Sequence, residues 1–348
     1  MVRSCLEVSL SRIIHNLGII RGLMPAEVPV IAVVKADAYG HGAIPVTRAL
    51  HLAGVKDFAV ACLDEALEIR EVLPLSSGIL VFGGVEEDRS GIYRDKNITA
   101  SHFDDSPLPA GINVHLKIDT GMGRLGINWD CFPGSISTQN SNVTGVYSHF
   151  SSADDSDEYT TEQLRRFRRA TDGFKGIRHI SNSAGLRFPE AHLDAVRPGL
   201  ALYGIAPCPE LSKLKPALRW KAGILAVKDL PEGSAIGYGR TFITSRRSRI
   251  GILPVGYADG YSRCLSGRGM VRLASGDFVP VRGIVSMDLT AIDLTDHPHV
   301  GKGDMVTLLD ADPESPVSAC GIADKTGTIP YEVLTSIGRR VEREYVDF

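Results

Sequence analysis

The stretch "VIAVVKADAYGHG", residues 30–42, decides the fold of this chain. An apolar run rich in β-branched residues ends there on Lys35, and a polar, glycine-containing loop follows at once. The run is typical of a buried strand bounded by a loop. A lysine at the end of such a strand is usually a solvent-facing side chain, but it can also be a chemical group held at the rim of a sheet. The polar residues at the ends of the neighbouring strands distinguish these two interpretations.

Between Ser9 and about Ser212, short β-branched runs alternate with helical or polar stretches, which is the pattern of a parallel sheet. The strand candidates are "PVIAVV", "DFAVAC", "GILVF", "NITAS", "NVHLKID", "NVTGVYSH", "RHISN" and "DAVRPG". Eight strands of this kind predict a (β/α)8 TIM barrel over residues 1–213. The connections "DEALEIREVL" and "YTTEQLRRFRRATDGF" have the spacing of amphipathic helices, whereas "HFDDSPLPAG" predicts a loop because of its prolines.

The pattern changes at about residue 214. The strand-like segments that follow are separated by Gly, Pro and Asp turns, with few helices among them: "GILAVKDL", "SAIGYGRTFI", "RIGILPVGYA", "MVRLASGDFVPVRGIVSMDLTAIDL" and "DMVTLL". The predicted fold class is therefore α/β, with the barrel followed by a mostly β C-terminal domain over residues 214–348.

Composition excludes several kinds of partner. With 348 residues, of which 43% are hydrophobic, the chain can bury a sizeable core. Its net charge of -3 offers no basic surface for nucleic acid or an acidic membrane, and no apolar run approaches the roughly 18 residues of a membrane span. The six cysteines are scattered, without a spacing that would hold zinc. We therefore expect a cytoplasmic protein without a nucleic-acid partner, membrane contact or metal site.

Enzymes with a TIM barrel carry their chemistry at the carboxyl ends of the barrel strands. Each polar residue found there has an ordinary structural explanation, such as an Asn or Ser that caps the following helix. A structural role predicts no preference for one rim of the barrel, however, so their joint position favours a functional site. The residues are Lys35 on the first strand, Lys117 and Arg124 on and after the fifth, His149 on the sixth, Asn182 and Ser183 on the seventh, and Arg197 on the eighth.

The chemistry of this rim suggests a phosphorylated aldehyde as its ligand. Barrels of this kind usually bind phosphate through the loops after the seventh and eighth strands, which here contribute the Ser183 hydroxyl and backbone amides near Gly199. Lys35 can lose its proton when it is desolvated, and it would then suit a covalent bond to an aldehyde. Pyridoxal 5′-phosphate meets both demands.

Taken together, the motifs of this chain resemble those of the alanine racemase family. The resemblance covers essentially the whole chain and is carried by "AVVKADAYGHG", "KIDTGMGRLG", "SHF", "NSAG", "VRPGLALYG", "IGYG", "GYADGY", "VSMD" and "TIPYE". It implies an isomerase that uses pyridoxal phosphate to interconvert L-alanine and D-alanine, with a barrel and a C-terminal β domain. It also implies a homodimer with shared active sites that supplies D-alanine for the peptidoglycan of the cell wall.

The resemblance also implies roles for individual residues. Lys35 would bond to the cofactor and act as the base on one face of the substrate, and Tyr238 of the partner subunit would be the second base. Arg197 would face the pyridine nitrogen. The implied cofactor-binding residues are Lys35, Tyr39, His149, Asn182, Ser183, Arg197, Gly199, Leu200 and Tyr331, of which Tyr39, Ser183, the amides of Gly199 and Leu200, and Tyr331 would contact the phosphate.

By the same resemblance, Arg124 and the amide of Met287 would hold the substrate carboxylate, and Tyr257 would narrow the entrance together with Tyr331. Lys117 matches a lysine that is often carbamylated in the family. One position departs from the pattern, because Ile284 stands where many members have an arginine. The preference for alanine over serine is therefore left open.

Three alternatives remain at this point. A relative within the family could act on serine or on a broad set of amino acids. A non-catalytic carrier of pyridoxal phosphate could use the same barrel, although it would not need the β domain with Tyr238. A barrel enzyme could also act on a phosphorylated sugar without any cofactor.

Overall fold

The computed structural model of the protein describes residues 4–132 and 142–348. Its strands, in chain order, are β1 (Ser4–Val8), β2 (Ile31–Val33), β3 (Asp57–Val60), β4 (Gly78–Val81), β5 (Thr99–His102), β6 (Val114–Asp119), β7 (Ile127–Asn128), β8 (Val143–Tyr147), β9 (Ile177–His179), β10 (Leu218–Gly223), β11 (Ala226–Leu230), β12 (Ala235–Ile236), β13 (Phe242–Ile243), β14 (Ser248–Leu253), β15 (Met270–Arg272), β16 (Phe278–Arg282), β17 (Thr290–Asp293), β18 (Met305–Leu309) and β19 (Glu342–Tyr345).

The helices of the described residues are α1 (Leu10–Arg21), α2 (Lys35–Tyr39), α3 (Ala43–Leu52), α4 (Leu63–Arg70), α5 (Ser90–Asp95), α6 (Asp157–Ala170), α7 (Ala319–Thr326) and α8 (Pro330–Thr335). Short 3-10 turns cover Glu87–Arg89, Ala184–Arg187, Pro189–Ala191, Leu200–Tyr203, Pro209–Leu211, Tyr238–Arg240 and Arg263–Leu265. None of these helices is long and apolar enough to cross a membrane.

The chain divides into two compact units, which we call the barrel unit and the β unit. The barrel unit comprises Ile13–Ala38 and Gly42–Leu214. In its sheet, β2, β3, β4, β5, β6, β8 and β9 lie side by side in this order, all parallel, and β7 adds to β6. The two strongest helix patterns of the sequence appear as α4 and α6, and residues 103–113 contain no helix, as their prolines predicted.

The eighth predicted strand, "DAVRPG", is present as an isolated parallel bridge between Val30 and Val196. On one side Ile31 donates its amide to the Val196 carbonyl (2.9 Å), and on the other Arg197 donates to Ser181 (2.9 Å). This segment therefore lies between β9 and β2 and closes the barrel. It is too short for a regular ladder because Pro198, which follows directly, has no amide proton to donate.

The side chains of strand β6 alternate between the two faces of the barrel sheet. Val114, Leu116 and Ile118 belong to an apolar cluster that also contains Leu164 and Phe167 of α6. His115 and Lys117 alternate with them and are buried as well. Because successive side chains of a strand point to opposite faces, these two polar residues face away from the helix, towards the interior of the barrel.

The β unit comprises the described residues up to Arg12, Tyr39–His41 and Lys215–Phe348. Its main sheet has nine strands in the order β11-β14-β17-β16-β15-β18-β10-β1-β19, and β12 and β13 form a separate two-stranded ribbon. All pairs in this sheet are antiparallel except that of β1 with β19. The mostly β character expected after residue 214 is present, with α7 and α8 added near the carboxyl end.

The amino-terminal strand differs from the sequence-based division at residues 213 and 214, which included it in the barrel. β1 pairs with β10 from Ser4↔Ala222 to Val8↔Leu218 and lies parallel to β19 on its other side. Leu6 and Val8 are fully buried in this position. A five-residue strand carries no local signal for a partner more than 200 residues away, so only the tertiary structure reveals this pairing.

Candidate active site

Lys35 stands at the start of an unusual turn. Ala36, Asp37 and Ala38 have φ of 52–53°, so α2 is a left-handed turn of non-glycine residues. Such a conformation is strained for each residue and persists only where the surroundings hold it. Here Ala36 donates its amide to a Glu65 carboxylate oxygen (2.7 Å), and the Asp37 carboxylate accepts from the amide of Ala43 (2.7 Å). The turn therefore fixes the backbone of Lys35 at the carboxyl end of β2.

Burial lowers the pKa of Lys35, and the nearby positive charge of Arg124 lowers it further, against a smaller opposite effect of Glu65. Desolvation disfavours the charged form of an amine, and so does a cation close by. A larger fraction of the Lys35 amine is therefore neutral near pH 7 than in a solvent-exposed lysine. A neutral amine can attack a carbonyl carbon or accept a proton.

Arg197 is a buried cation of the same unit. Its guanidinium donates to Nδ1 of His179 (2.5 Å), to the carbonyl oxygens of Ser148 (2.6 Å) and Ile180 (3.2 Å), and to Nδ1 of His149 (3.4 Å). Burial lowers the pKa of Arg197 to about 10, so it remains charged at neutral pH. The carbonyls and imidazoles orient the guanidinium. Its Nε proton and one of the two Nη1 protons are left for a ligand.

The histidines behind Arg197 form a chain with defined proton positions. Because an arginine can only donate, Nδ1 of His179 must accept, and the His179 proton sits on Nε2. That Nε2 lies 2.9 Å from Nδ1 of His115, which must accept in turn. Tyr147 stacks on the His179 ring at 5.2 Å between centroids and 6° between planes. Both imidazoles are therefore neutral and support Arg197 from inside the barrel.

Lys117 belongs to the same cluster of charges. Its Nζ lies 4.7 Å from the centroid of the Tyr147 ring. Burial lowers the pKa of Lys117 to about 7, and the charges of Arg197 and Arg124 contribute to the shift. Burial and the same arginines, together with Lys117 and Lys35, also hold the pKa of His149 well below its usual value. These mutual effects indicate that the five residues lie close together.

A rigid loop after β6 presents Arg124. The Asp119 carboxylate accepts hydrogen bonds from the amides of Gly121 (2.8 Å), Met122 (2.9 Å) and Gly123 (2.9 Å). Helix α6 holds the loop from outside, because Tyr159 donates its hydroxyl to the Gly121 carbonyl at 2.7 Å. Arg124 itself is exposed, so its guanidinium is available to an anionic ligand.

The Asn182–Ser183 junction combines a cap with a candidate anion site. Asn182 accepts the amide of Gly185 (2.9 Å) at the start of the following 3-10 turn, as a capping residue does. Ser183 Oγ instead accepts the amides of Gly199 (3.0 Å) and Ala201 (3.1 Å) from the next loop. Its two acceptor positions are then filled, and no acceptor for its proton is recorded among the described residues. A hydroxyl in this state is suited to donate to an anion such as phosphate.

Leu200 begins the 3-10 turn after Gly199 in the barrel unit, and the other remaining predicted site residues belong to the β unit. Tyr39 is buried, and burial together with Tyr331 raises its pKa; the two rings lie 6.0 Å apart between centroids. Gly40 explains their proximity, because a Cβ there would lie only 2.5 Å from the Leu334 carbonyl in the helix that carries Tyr331. No larger residue fits at Gly40 without moving this helix.

Tyr257 and Met287 lie side by side in the β unit. The Tyr257 amide donates to the Ser286 carbonyl (3.1 Å), and the Ala258 amide donates to the Met287 carbonyl (3.0 Å). The Met287 amide has no acceptor within the described part of the chain, and the residue is 54% exposed. Tyr238 lies on the turn between β12 and β13 with 72% of its surface exposed. These side chains are thus open to contacts outside their own unit.

Sequence reasoning missed the residues that support the site. Tyr147, His179 and Asp119 each contact or orient a predicted residue, and His115 supports Arg197 through His179, but none of the four was predicted. Their signal is present in the strand alternation, since His115 precedes Lys117 by two residues and Tyr147 precedes His149 by two. Residues two apart on a strand share a face, so the same alternation indicates His115 and Tyr147 as neighbours of the predicted residues.

We expect acid to destabilise the barrel unit through His115. Burial, with the charge of Arg197, lowers the pKa of His115 from 6.5 to about 4. Between these two pH values His115 is protonated in the unfolded chain but neutral in the folded chain. The free energy of unfolding should therefore fall as pH falls through this range. One such group accounts for about 3 kcal/mol when the transition is complete.

Urea unfolding of wild type and His115→Asn at several pH values between 4 and 7 measures this effect. The substituted chain should lose stability less steeply towards acid, because an asparagine keeps an acceptor for His179 without a titrating ring. Equal slopes in both proteins would assign the acid sensitivity to other groups.

The fold and this cluster of charged side chains are typical of a barrel enzyme, with a lysine of lowered pKa at the rim of its strands. Family models of the alanine racemase N-terminal domain and C-terminal domain match residues 8–207 and 217–345. An alanine racemase of Halothermothrix orenii is 40% identical over 364 residues, which cover 97% of this chain and 96% of the relative. This chain therefore belongs to the alanine racemase family, whose members are isomerases.

Solved structures agree with this assignment. A crystal structure of alanine racemase from Bartonella henselae with covalently bound pyridoxal phosphate has a TM-score of 0.90 at 28% identity, covering 99% of this chain and 100% of that one. The biosynthetic alanine racemase from Pseudomonas aeruginosa has a TM-score of 0.88 at 34% identity, with complete coverage of both chains. The TIM barrel and the following β domain predicted from sequence are thus confirmed, and pyridoxal phosphate is the cofactor of the family.

Proposed function

We propose that this protein interconverts L-alanine and D-alanine with pyridoxal phosphate bound at Lys35. The observation that carries the proposal is the depressed pKa of Lys35, an amine held on a strained turn in the same charged pocket as Arg197. When it is bound, the cofactor supplies an aldehyde for Lys35 and a conjugated ring that lowers the barrier to removing the substrate's α-proton.

The donor set of the pocket fits this cofactor. The Lys35 amine can reach its neutral form, and the Ser183 hydroxyl has a proton to donate to the phosphate. We assign further phosphate contacts to the amides of Gly199 and Leu200 and to the hydroxyls of Tyr39 and Tyr331. The Gly199 amide already donates to Ser183 Oγ. To contact the phosphate as well, it would have to form a bifurcated hydrogen bond.

Arg197 would face the pyridine nitrogen, with His149 and Asn182 beside it. A guanidinium that stays charged donates a hydrogen bond to this nitrogen and opposes its protonation. The ring would then withdraw electrons less strongly than a pyridinium. Transfer of the substrate's amino group to the cofactor would be suppressed relative to return of the proton.

Racemisation needs a proton acceptor on one face of the α-carbon and a proton donor on the other. We assign one face to Lys35 and the other to Tyr238 of the partner subunit in a homodimer. The high exposure of Tyr238 supports a role outside its own unit. Within that unit its side chain gains little packing energy to offset the strain of the turn that carries it. Its hydroxyl would exchange the proton with the substrate's α-carbon.

The substrate carboxylate would be held by Arg124 and by the Met287 amide, which are both exposed and available. Tyr257 and Tyr331 would narrow the entrance, so that a methyl side chain passes more readily than a larger one. We further propose that the product serves the synthesis of peptidoglycan in the cytoplasm. This role agrees with the description of the Pseudomonas aeruginosa neighbour as biosynthetic.

We also propose that Lys117 reacts with carbon dioxide to form a carbamate. A lysine with a pKa of about 7 is roughly half neutral at pH 7, and its lone pair can bond to the carbon of carbon dioxide with release of one proton. The product is an anion among Arg197 and Arg124, which removes the repulsion that lowers the pKa of Lys117. The carbamate would also orient Arg124 towards the substrate.

Labelled bicarbonate tests this modification. After equilibration with carbon-13 bicarbonate at pH 8, the wild type should show one carbamate carbon resonance that is absent in Lys117→Gln. Lys96→Gln, which removes an exposed lysine, should leave the resonance unchanged. A resonance of equal intensity in all three proteins would show that the label lies elsewhere.

The proposed function is tested by the loss of optical activity from L-alanine, with L-serine in parallel, after reconstitution with pyridoxal phosphate. Rapid racemisation of alanine and slow racemisation of serine are expected. Preference for serine would replace this proposal with the broader racemase. Cofactor that is bound covalently, without turnover of either amino acid, would favour the non-catalytic carrier.

A further inference from the structure

Ile284 lies beside the turn that carries Tyr238 and has no part in the reaction described above. The turn connects β12 and β13, which pair through only Ala235↔Ile243 and Ile236↔Phe242. A two-stranded ribbon is marginally stable at best in water, and this one is unusually short. The position of Tyr238 must therefore depend on what packs against the ribbon.

The turn itself is strained and would not hold its shape alone. Gly237 has φ 69°, Gly239 has φ 68°, and Arg240 has φ 51°. The two glycines adopt this left-handed region readily, but Arg240 does not. Tyr238 stands between the glycines with 72% of its surface exposed, so its own side chain gains little packing from this chain.

The segment Arg282–Ile284 supplies the external contacts of the ribbon. The Arg282 guanidinium lies 4.6 Å from the centroid of the Phe242 ring. Gly283 approaches the ribbon so closely that a Cβ there would lie 2.7 Å from the Ile236 carbonyl oxygen. Gly237 faces the backbone of Ile284, since a Cβ on Gly237 would lie 3.5 Å from the Ile284 amide nitrogen.

Gly239, on the other side of Tyr238, meets the Ile284 side chain. A Cβ placed on Gly239 would lie 3.9 Å from Cδ1 of Ile284, and the only other atom within 4 Å is Cγ2 of Thr241. Among the described residues, Ile284 is therefore the one from outside the turn that would lie within 4 Å of such a Cβ. Its backbone borders the glycine before Tyr238, and its δ-methyl group borders the glycine after it.

We propose that Ile284 is a positioning residue for Tyr238. The inference rests on the proposed function, because it matters only if Tyr238 exchanges a proton with the substrate. By limiting the movement of Gly239, the δ-methyl group would keep the phenol at a constant distance from the substrate. A displacement of about 1 Å in a reacting group can lower a rate about a hundredfold.

Ile284→Ala removes the δ-methyl group and tests the proposal. The exchange of the substrate's α-proton with deuterated solvent should slow about 10- to 100-fold on the face served by Tyr238. Exchange on the face served by Lys35 should change less than about twofold, within the error of such measurements. Ile284→Met restores the reach of the side chain and should recover most of the rate. Leu289→Ala, which removes an exposed aliphatic residue from the same unit, is the matched control.

Two further measurements separate positioning from a general loss of structure. In a Tyr238→Phe background, Ile284→Ala should cause no additional loss, since it acts through the missing hydroxyl. In the protein without cofactor, hydrogen exchange of the amides of residues 237–241 should accelerate in Ile284→Ala and not in Leu289→Ala.

Equal slowing of both faces, or a full additional loss in the Tyr238→Phe background, would overturn the proposal. If α-proton exchange slows in Tyr238→Phe but not in Ile284→Ala, only the role of Ile284 is overturned. An unaffected Tyr238→Phe would instead remove the two-base proposal on which this role rests. The failure of the inference and the failure of the proposed function are thus distinguishable.

Discussion

Lys35→Ala should abolish the racemisation of alanine, with a loss of at least about four orders of magnitude in kcat/KM. Under the proposed function, the substitution removes both the amine that would bond to the cofactor and the base on one face of the substrate. It should leave the fold intact, because an alanine fills the position with no new polar group to bury. The racemisation rate and thermal unfolding of the same preparation measure the two effects.

The proposed bond between Lys35 and the cofactor can be measured independently of turnover. After reduction with borohydride in the presence of pyridoxal phosphate, the peptide that contains Lys35 should gain the mass of the reduced cofactor. The substituted protein should gain none at this peptide, and Lys96→Ala should behave as the wild type does. Turnover retained by Lys35→Ala, or cofactor trapped on another lysine, would show that Lys35 has a different role.

Tyr238→Phe should lower racemisation about 10²- to 10⁴-fold, the usual contribution of one acid–base group. The substitution removes a single oxygen from an exposed side chain, so the stability of the protein should not change measurably. Cofactor binding at Lys35 should also persist. The loss should be asymmetric: exchange of the α-proton with deuterated solvent should slow far more from one alanine enantiomer than from the other. Equal slowing from both enantiomers would contradict the assignment of one base to each face.

A mixture of the two inactive variants tests the shared site. If Tyr238 acts on the partner subunit, a dimer of one Lys35→Ala chain and one Tyr238→Phe chain contains one complete site and one site that lacks both groups. Coexpression at equal levels should then restore about one quarter of the wild-type activity, since about half of the dimers are mixed. If Tyr238 serves its own chain, no complete site forms and no activity returns. Sedimentation of the wild type should give a dimer in either case.

The predicted site residues of the barrel unit illustrate what strand periodicity and strand ends can reveal. Lys35, Lys117, His149, Ser183 and Arg197 were predicted from their positions at one rim. In the structure the charges of Lys35, Lys117 and Arg197 all act on His149, whereas Ser183 is hydrogen-bonded to the loop after Arg197. Strand ends are informative in this way because parallel strands of a barrel necessarily end on the same side. This reasoning could not reach the role of Ser183 as a double acceptor, which depends on a contact with a loop 16 residues away.

The supporting residues were not found by the same reasoning. His115 and His179 are separated by 64 residues and meet only because β6, β8 and β9 are adjacent in the closed barrel. The depressed pKa of Lys117 depends on burial beside Arg197 and Arg124, which a sequence does not reveal. Similarly, the strain of the Lys35 turn is invisible in "KADAY", a segment that propensity alone would assign to an ordinary right-handed helix.

The succession of strands, the chemistry available at their ends and the change to a β domain near residue 214 could be predicted from the sequence, because they depend on local periodicity and composition. The pairing of β1 with β10 and β19, the support of Arg197 by two neutral imidazoles and the approach of Ile284 to the Tyr238 turn became visible only in the folded chain. These features arise from contacts between residues far apart in the chain. Burial and close approach set their energies, and neither is defined until the chain has folded.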